Sequence, residues 1–130
     1  MPLVRISVPA SATAETVRGL ADAVHLAMVE TVDVPPTDRF QIITRHETDH
    51  LIVDPTYFGV ARSPAAMIVH ITFRHGRSEA QKRALYRTIA ANAAQSAGVR
   101  AADIMVVLTE NDRIDWSFGD GVAQMSPEPA

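Results

Sequence analysis

The stretch AMIVHITFRHGRSEAQKRALYRTIA, residues 66–90, decides the fold because a strand pattern changes into a helix pattern within a few residues. Residues 66–73 are rich in β-branched and aromatic side chains, which is typical of a β-strand. Ser78 and Gln81 have the spacing of a capping box, and apolar residues from Leu85 onward recur at helical spacing. This stretch therefore predicts a strand followed directly by an amphipathic helix.

The same pattern is completed after this helix and is already present in the first half of the chain. Gly98 suits a helix C-terminus, and Ile104–Thr109 is a further strand-like run. Earlier, Leu3–Val8 is strand-like, Thr13 is suited to cap a helix, and Phe40–Thr44 indicates another strand. The sequence thus predicts strand–helix–strand twice.

Two such units predict a two-layer α+β fold. Each helix should form a right-handed crossover between two parallel strands. If the halves pair about a pseudo-two-fold axis, the four strands form one mixed sheet covered by both helices. We expect a single domain over residues 1–125, with halves of about 2–60 and 61–125, and a loose tail at 126–130.

Composition excludes several functional classes. The chain has 130 residues, 47% hydrophobic residues and a formal net charge of −3, which is typical of a soluble globular protein without a nucleic-acid footprint. It has no cysteine, so disulfide and thiolate chemistry do not apply. It also lacks an apolar run long enough to span a membrane and the charged-then-apolar pattern of a signal peptide. We therefore expect a cytoplasmic protein with no nucleic-acid or membrane partner.

Pro2 lies directly behind Met1 and directly ahead of the first predicted strand. If Met1 is removed, Pro2 carries a free secondary amine, and free α-amino groups titrate near pH ~8 in peptides. Such an amine can act as an acid, a base or a nucleophile near neutral pH. If Met1 is retained, the same nitrogen belongs to a peptide bond and has none of this chemistry.

Two arginines and a histidine, Arg74, His75 and Arg77, lie between a strand end and a helix start. The pseudo-two-fold pairing places them beside Pro2, because the start of the first strand then faces the end of the third. The free N–H groups of a helix N-terminus and two guanidinium groups favour binding of a carboxylate. His75 lies in the same turn and is placed to touch a substrate. Away from Pro2, the arginines would be ordinary solvated surface residues.

Asp38 follows a rigid Val-Pro-Pro-Thr segment and can hold the ammonium group of Pro2 or orient a water molecule. A simple turn aspartate is the structural alternative. Trp116 and Phe118 alternate after the last strand, so their rings can form one wall of a pocket. The alternative for these rings is to cover the sheet or a subunit contact.

The segment His46-Glu47-Thr48-Asp49-His50 has the form H-E-x-x-H, which binds zinc when a helix places both histidines on one face. Strand-like and extended pieces flank it, and no helical stripe surrounds it. We therefore interpret it as a polar loop and expect no metal site.

Four segments together resemble the tautomerase superfamily and, within it, the malonate semialdehyde decarboxylases. They are Met-Pro-Leu at 1–3, Val-Pro-Pro-Thr-Asp-Arg-Phe-Gln-Ile at 34–42, Arg-Ser-Glu-Ala-Gln-Lys at 77–82 and Asp-Trp-Ser-Phe-Gly at 115–119. The Pro-Pro-x-Asp-Arg and Asp-Trp-Ser-Phe-Gly patterns are the more specific ones. The resemblance runs from Pro2 to about Gly121 and so covers most of the chain.

The resemblance implies duplicated βαβ halves, a homotrimer and a reaction without a cofactor. The site residues it implies are Pro2 and Asp38 for catalysis, Arg74 and Arg77 for substrate binding, and Trp116 and Phe118 for an aromatic wall. Arg77 is the less exact match, because the decarboxylase pattern has Arg-Pro-Arg where this chain has Arg-His-Gly-Arg at 74–77.

The expected function is decarboxylation of a small 3-oxo acid such as malonate semialdehyde, giving acetaldehyde and carbon dioxide. A protonated Pro2 would polarise the substrate carbonyl, although a Schiff base between Pro2 and the aldehyde is also chemically possible. An alternative is a tautomerase or hydratase that acts on 2-oxo acids such as phenylpyruvate. A non-enzymatic alternative is a trimeric binding protein that has the fold without turnover.

Overall fold

Four strands and two helices follow one another in the order that the sequence predicts. The computed structural model describes the whole chain, residues 1–130. The elements are β1 (Pro2–Pro9), α1 (Ala14–Thr31), β2 (Gln41–His46), β3 (Met67–Arg74), α2 (Glu79–Ala97) and β4 (Ile104–Asn111). No helix combines the length and the apolar character that crossing a bilayer requires.

The strands form one mixed sheet in the order β2-β1-β3-β4. β1 is parallel to β2 and β3 is parallel to β4, as a helical crossover within each half requires. The two halves join through β1 and β3, which are antiparallel. The predicted α+β architecture and the pairing of the halves are therefore confirmed.

Both helices cover the same face of the sheet, because side chains alternate between the two faces of a strand. The core consists of alternate strand residues together with the apolar stripes of the helices: Val4, Ile6, Val8, Val69, Ile71, Phe73, Leu20, Val24, Met28, Leu85 and Ile89. Burial of one such side chain stabilises the fold by about 1.5–3 kcal/mol. The residues between them, such as Leu3, His70 and Arg74, point to the other side, which we call the open face.

The predicted helix signals form the expected contacts. The Thr13 hydroxyl accepts a hydrogen bond from the Thr16 N–H at 3.1 Å. Ser78 and Gln81 form a reciprocal capping box, with distances of 3.1 and 2.9 Å between side chain and backbone. Gly98 ends α2 in the left-handed conformation, with φ of 64°.

β2 and β4 extend into polar residues beyond their apolar patterns. β2 begins at Gln41 and continues to His46, and β4 continues to Asn111. The register explains the added residues, since Pro9 still pairs with His46 and Arg74 with Asn111. Backbone hydrogen bonds to a neighbouring strand thus extend each strand into polar residues that carry no strand signal.

The two helices pack closely at Gly19. A Cβ atom at this position would lie 2.5 Å from the Ser96 carbonyl oxygen and 3.1 Å from the Ala97 Cβ. The first distance is far below van der Waals contact, and a backbone carbonyl cannot move aside without shifting α2. Glycine is therefore required at residue 19 by the spacing of the helices, not by its backbone angles.

Gly19→Ala should destabilise the protein although alanine is the better helix former. Alanine gains about 1 kcal/mol of intrinsic helix propensity, whereas overpacking of this kind costs about 1–3 kcal/mol. We expect a net loss of about 1 kcal/mol or more in the free energy of unfolding, measured by urea denaturation. The exposed neighbour Arg18 offers the control, because Arg18→Ala should change stability by less than about 0.5 kcal/mol. A Gly19→Ala protein more stable than the parent would contradict the close approach.

Candidate active site

The antiparallel pairing of β1 with β3 brings the start of the chain to the arginine turn. Pro2 is the direct partner of Phe73, and Arg74 is the next residue of β3. One further step in the same register places Met1 opposite Arg74. The nitrogen of the Met1–Pro2 peptide bond therefore lies beside the last residue of β3, as the symmetry of the halves predicts.

Asp38 receives the terminal ammonium group of the chain. The Met1 nitrogen lies 2.7 Å from the Asp38 Oδ2, and the Asp38 side chain is only 14% exposed. The Asp38 N–H donates to the Pro35 carbonyl at 3.0 Å, which closes the turn before β2. The Val4 N–H donates to the Phe40 carbonyl at 3.0 Å and fixes this segment against β1. A mostly buried carboxylate is thus held at the N-terminus by the backbone.

The guanidinium group of Arg77 donates its hydrogen bonds to backbone carbonyl groups of the protein. Its Nε and one terminal nitrogen lie 3.4 and 3.3 Å from the Val32 carbonyl oxygen, and the other terminal nitrogen donates to the Arg74 carbonyl at 2.8 Å. Its guanidinium carbon lies 4.8 Å from the centre of the buried Phe73 ring. Arg77 therefore ties the end of α1 to the end of β3.

The surroundings of Arg77 have opposing effects on its positive charge, and the net effect is to lower its pKa. Burial lowers the pKa of the Arg77 guanidinium, and the neighbouring Arg74 lowers it further. The carboxylates of Asp33, Glu110 and Asp38 act in the opposite direction on this pKa. The two guanidinium groups and these acids thus form one electrostatic cluster, in which a bound anion would relieve the repulsion between the arginines.

Arg74, unlike Arg77, has a guanidinium nitrogen without a hydrogen-bond partner. Its Nε is buried and has no hydrogen-bond partner, although a buried polar group normally has one. Arg74 also lies on the open face, beside its ladder partner Asn111. A guanidinium with an unsatisfied buried N–H is suited to accept a carboxylate, which would supply the missing acceptor.

The arginine turn encloses a cavity of about 240 Å³. Its lining residues are Val32, Asp33, Arg74, His75, Gly76, Arg77 and Gln81. The structure thus brings together Arg74, His75 and Arg77 as predicted. Pro2 and Asp38 lie next to this cavity through the pairing described above, but they do not line it.

An aromatic group crosses the open face in front of Arg74. Trp116 stacks on Phe118 with ring centres 5.8 Å apart and an angle of 12°, and Phe118 contacts Phe40 at 5.7 Å. The indole N–H of Trp116 donates to the Asn111 side chain at 2.7 Å. Because Asn111 ends β4 and Phe40 precedes β2 at the other edge, the three rings reach across β3 and β1. They form a wall beside Arg74 and the N-terminus.

His75 lines the cavity, and its exposed ring contacts Asp112. Its Nε2 is 2.7 Å from the Asp112 Oδ1, and its side chain is 70% exposed. Its backbone N–H donates to the Asn111 carbonyl at 2.8 Å and so closes the turn. In this conformation the backbone of His75 shapes the cavity while its ring is held by Asp112.

The H-E-x-x-H segment does not form a helix. His46 is the last residue of β2, and Thr48–His50 form a short 3-10 turn. The two histidines are therefore not presented on one helical face, which is the arrangement that zinc binding by this motif requires.

Two residues of the site escape the sequence patterns. The sequence pattern predicts only a strand at Phe40, although in this sheet order a residue just before β2 lies near the start of β1. Asp33 lines the cavity and carries a φ of 59° at the end of α1. A single aspartate between valines gives no signal of such a bend.

Sequence comparison with known proteins identifies tautomerases as relatives of this chain. Two family models, both described as tautomerase enzymes, match residues 38–119 and residues 2–61. The chain is 37% identical over 125 residues to the probable tautomerase YusQ of Bacillus subtilis (strain 168), covering 96% of this chain and 98% of that protein.

Solved structures of related proteins share the fold of this chain. The FG41 malonate semialdehyde decarboxylase inhibited by 3-bromopropiolate is 38% identical, with a TM-score of 0.88 and coverage of 94% of this chain and 92% of that one. A second malonate semialdehyde decarboxylase is 32% identical, with a TM-score of 0.89 and coverage of 95% of both chains. The symmetric trimer of the fused 4-OT protein Q0 shares the fold at 22% identity, with a TM-score of 0.76 over 95% of this chain and 96% of that one.

Arg77→Ala and Arg74→Ala should affect stability very differently. Arg77→Ala removes charged hydrogen bonds and the contact with Phe73, which should lower the free energy of unfolding by about 2–4 kcal/mol. Arg74→Ala removes a group with an unsatisfied buried N–H and should change it by less than about 1 kcal/mol. Urea denaturation of the two matched variants measures the difference. Equal losses, or a larger loss for Arg74→Ala, would contradict this division between a structural and a free arginine.

Proposed function

The chain belongs to the tautomerase superfamily, in the branch of the malonate semialdehyde decarboxylases, and from this we propose that it decarboxylates a small 3-oxo acid without a cofactor. Malonate semialdehyde is the proposed substrate, with acetaldehyde and carbon dioxide as products. The similarity to two decarboxylases along nearly the whole chain supports this choice.

One observation carries the proposal: the register that sets Pro2 opposite Phe73, next to Arg74. Arg74 follows Phe73 and carries a buried Nε that lacks an acceptor, and Met1, the residue before Pro2, has its ammonium group held by the Asp38 carboxylate at 2.7 Å. An acid–base group and an anion-binding group are thus adjacent, as decarboxylation of an oxo acid requires.

Removal of Met1 is the step that would make the site chemically competent. The nitrogen of Pro2 would then be a secondary amine, and Asp38 would hold its protonated form as it holds the ammonium group of Met1. In this protonated form, Pro2 would serve as a proton donor.

In the proposed reaction, Arg74 binds the substrate carboxylate and Arg77 supports Arg74 from behind. The bond between the carboxylate carbon and the α-carbon breaks, carbon dioxide leaves, and the electron pair forms an enolate. The ammonium group of Pro2 donates a hydrogen bond to the carbonyl oxygen as negative charge develops there. Protonation of the α-carbon then gives the aldehyde. The wall of Trp116, Phe118 and Phe40 offers the substrate an apolar surface.

A Schiff base is the second route to the same products. Neutral Pro2 would attack the aldehyde carbon, water would leave, and the resulting iminium ion would accept the electrons of the breaking bond. Loss of carbon dioxide would leave an enamine. Protonation of its terminal carbon by water would restore an iminium ion, and hydrolysis of that ion would release acetaldehyde and regenerate Pro2. Both routes require the free amine of Pro2 and a bound carboxylate.

Tautomerase activity on a 2-oxo acid such as phenylpyruvate is the second candidate, because a curated relative is named a probable tautomerase. In that reaction Pro2 acts as a neutral base. The pH–rate profile separates the two functions: a base loses activity as pH falls through the pKa of Pro2, and an acid loses activity as pH rises through it.

We also propose that the protein assembles as a homotrimer. The open face has no cover in one chain, and it exposes Ile42 by 43%, Met105 by 42% and Val107 by 39%. β2 and β4 also end the sheet as unpaired edges. A structural relative with the same fold forms a symmetric trimer, which supports this proposal.

Pro2→Ala should lower the turnover of malonate semialdehyde by about 10²–10⁴-fold, because a primary amine with different basicity and position replaces the proline nitrogen. The loss should appear in kcat, with the free energy of unfolding changed by less than about 1 kcal/mol. A coupled assay of acetaldehyde formation, with the N-terminus verified by mass spectrometry, measures the effect.

Arg74→Ala provides the matched comparison, since it should raise KM for the same substrate while leaving the N-terminus intact. Full decarboxylase activity in Pro2→Ala, or in protein that retains Met1, would exclude the proposed chemistry. Turnover of phenylpyruvate alone would favour the tautomerase alternative.

The trimer should be visible as a mass of about three times the chain mass of 14.1 kDa in light scattering after gel filtration. Val107→Lys places a charge on the open face and should shift this mass toward that of one chain. The exposed Arg18→Ala protein serves as the control and should retain the parental mass. A parental protein with the mass of a single chain would exclude the trimer.

A further inference from the structure

Asp33 occupies a position where the helix dipole disfavours its charge. α1 ends at Thr31 with Val32 as its C-cap, and Asp33 follows with a φ of 59°. Aspartate is one of the few residues besides glycine that tolerate this left-handed conformation. A carboxylate is nevertheless unfavourable at a helix C-terminus, where the helix dipole attracts cations. The charge of Asp33 therefore does not stabilise α1, which directs attention to the cavity beside it.

The surroundings of Asp33 point to a role in this cavity. Asp33 lines the same cavity as Arg74 and Arg77, and its charge acts on the Arg77 guanidinium. It is exposed and takes no part in the ion pairs of the chain. The other acids near Arg77 are paired: Asp38 with the terminal ammonium, and Glu110 with Lys82 at 2.7 Å. Asp33 is thus the unpaired negative charge that faces this cavity.

We propose that Asp33 is a specificity-determining residue, whose carboxylate admits small acids with one carboxylate group and repels those with two. This role rests on the function proposed above, because it requires Arg74 to bind a carboxylate. Arg74 and Asp33 line one cavity, so a second carboxylate on a ligand held by Arg74 is repelled by the charge of Asp33.

Arg77 cannot readily compensate for this repulsion. Three of its N–H groups are used by the carbonyl groups of Val32 and Arg74. A second carboxylate of the ligand would therefore meet a negative charge without gaining a free guanidinium fork. An aldehyde or ketone at the same place carries no charge, so it is accepted. Asp33 thus selects oxo acids with one carboxylate over dicarboxylic acids of the same length.

The test compares the binding of propionate and malonate, two three-carbon acids that differ by one carboxylate. Dissociation constants are measured by NMR titration at about pH 8, where both carboxyl groups of malonate are ionised. Asp33→Asn should tighten malonate binding about three- to tenfold and propionate binding by less than about twofold. Because the effect is electrostatic, the preference gained for malonate should shrink at about 0.5 M salt.

Two further variants serve as controls. The first separates the effect of the Asp33 charge from that of backbone strain at residue 33, and the second controls for the loss of one negative charge from the protein as a whole. Asp33→Gly removes the charge and also suits the left-handed φ, so it should change ligand preference as Asp33→Asn does while raising stability. Asp49→Asn removes one charge from an exposed residue beyond the far end of β2, and it should leave both dissociation constants unchanged.

The outcomes distinguish this inference from the proposed function. If propionate binds the parent protein and Arg74→Ala abolishes that binding, the proposed carboxylate site at Arg74 is supported. Unchanged discrimination in Asp33→Asn would then overturn the role of Asp33 alone. If neither acid binds the parent protein, both the anion site and the role of Asp33 are overturned.

Discussion

The antiparallel pairing of β1 with β3 is the constraint on which the rest of the structure depends. It joins the two βαβ halves into one sheet and sets Pro2 opposite Phe73. A shift of one residue would turn every side chain of β1 to the other face and destroy the core. The alternation of buried residues on both strands therefore fixes the position of the N-terminus as firmly as it fixes the fold.

The site uses its charged residues in unequal ways. Arg77 serves the fold, since it joins the end of α1 to the end of β3, and Arg74 keeps a buried N–H without an acceptor. Asp38 holds the terminal ammonium, whereas Asp33 faces the cavity unpaired. Two of these four groups, Arg77 and Asp38, are therefore bound within the chain, whereas Arg74 and Asp33 lack a partner there.

Most of the fold could be predicted because its signals are local. The strand-like run before Ser78, the capping box and Gly98 each depend on neighbouring residues, and the repeat of the pattern indicates the sheet. The polar ends of β2 and β4 could not be predicted, since the ladder with a partner strand extends them. Likewise, the contact of Phe118 with Phe40 joins residues from opposite edges of the sheet, and it depends on the strand order rather than on any local pattern.

The central claim is that a free Pro2 nitrogen lies beside Arg74. The most direct measurement is to treat the protein with 3-bromopropiolate, a three-carbon electrophile with one carboxylate, and to locate the label by peptide mass spectrometry. We predict a single label on the nitrogen of Pro2 in a chain that has lost Met1, with slower labelling in Arg74→Ala. A label on another residue, or labelling of the same rate without Arg74, would contradict this account.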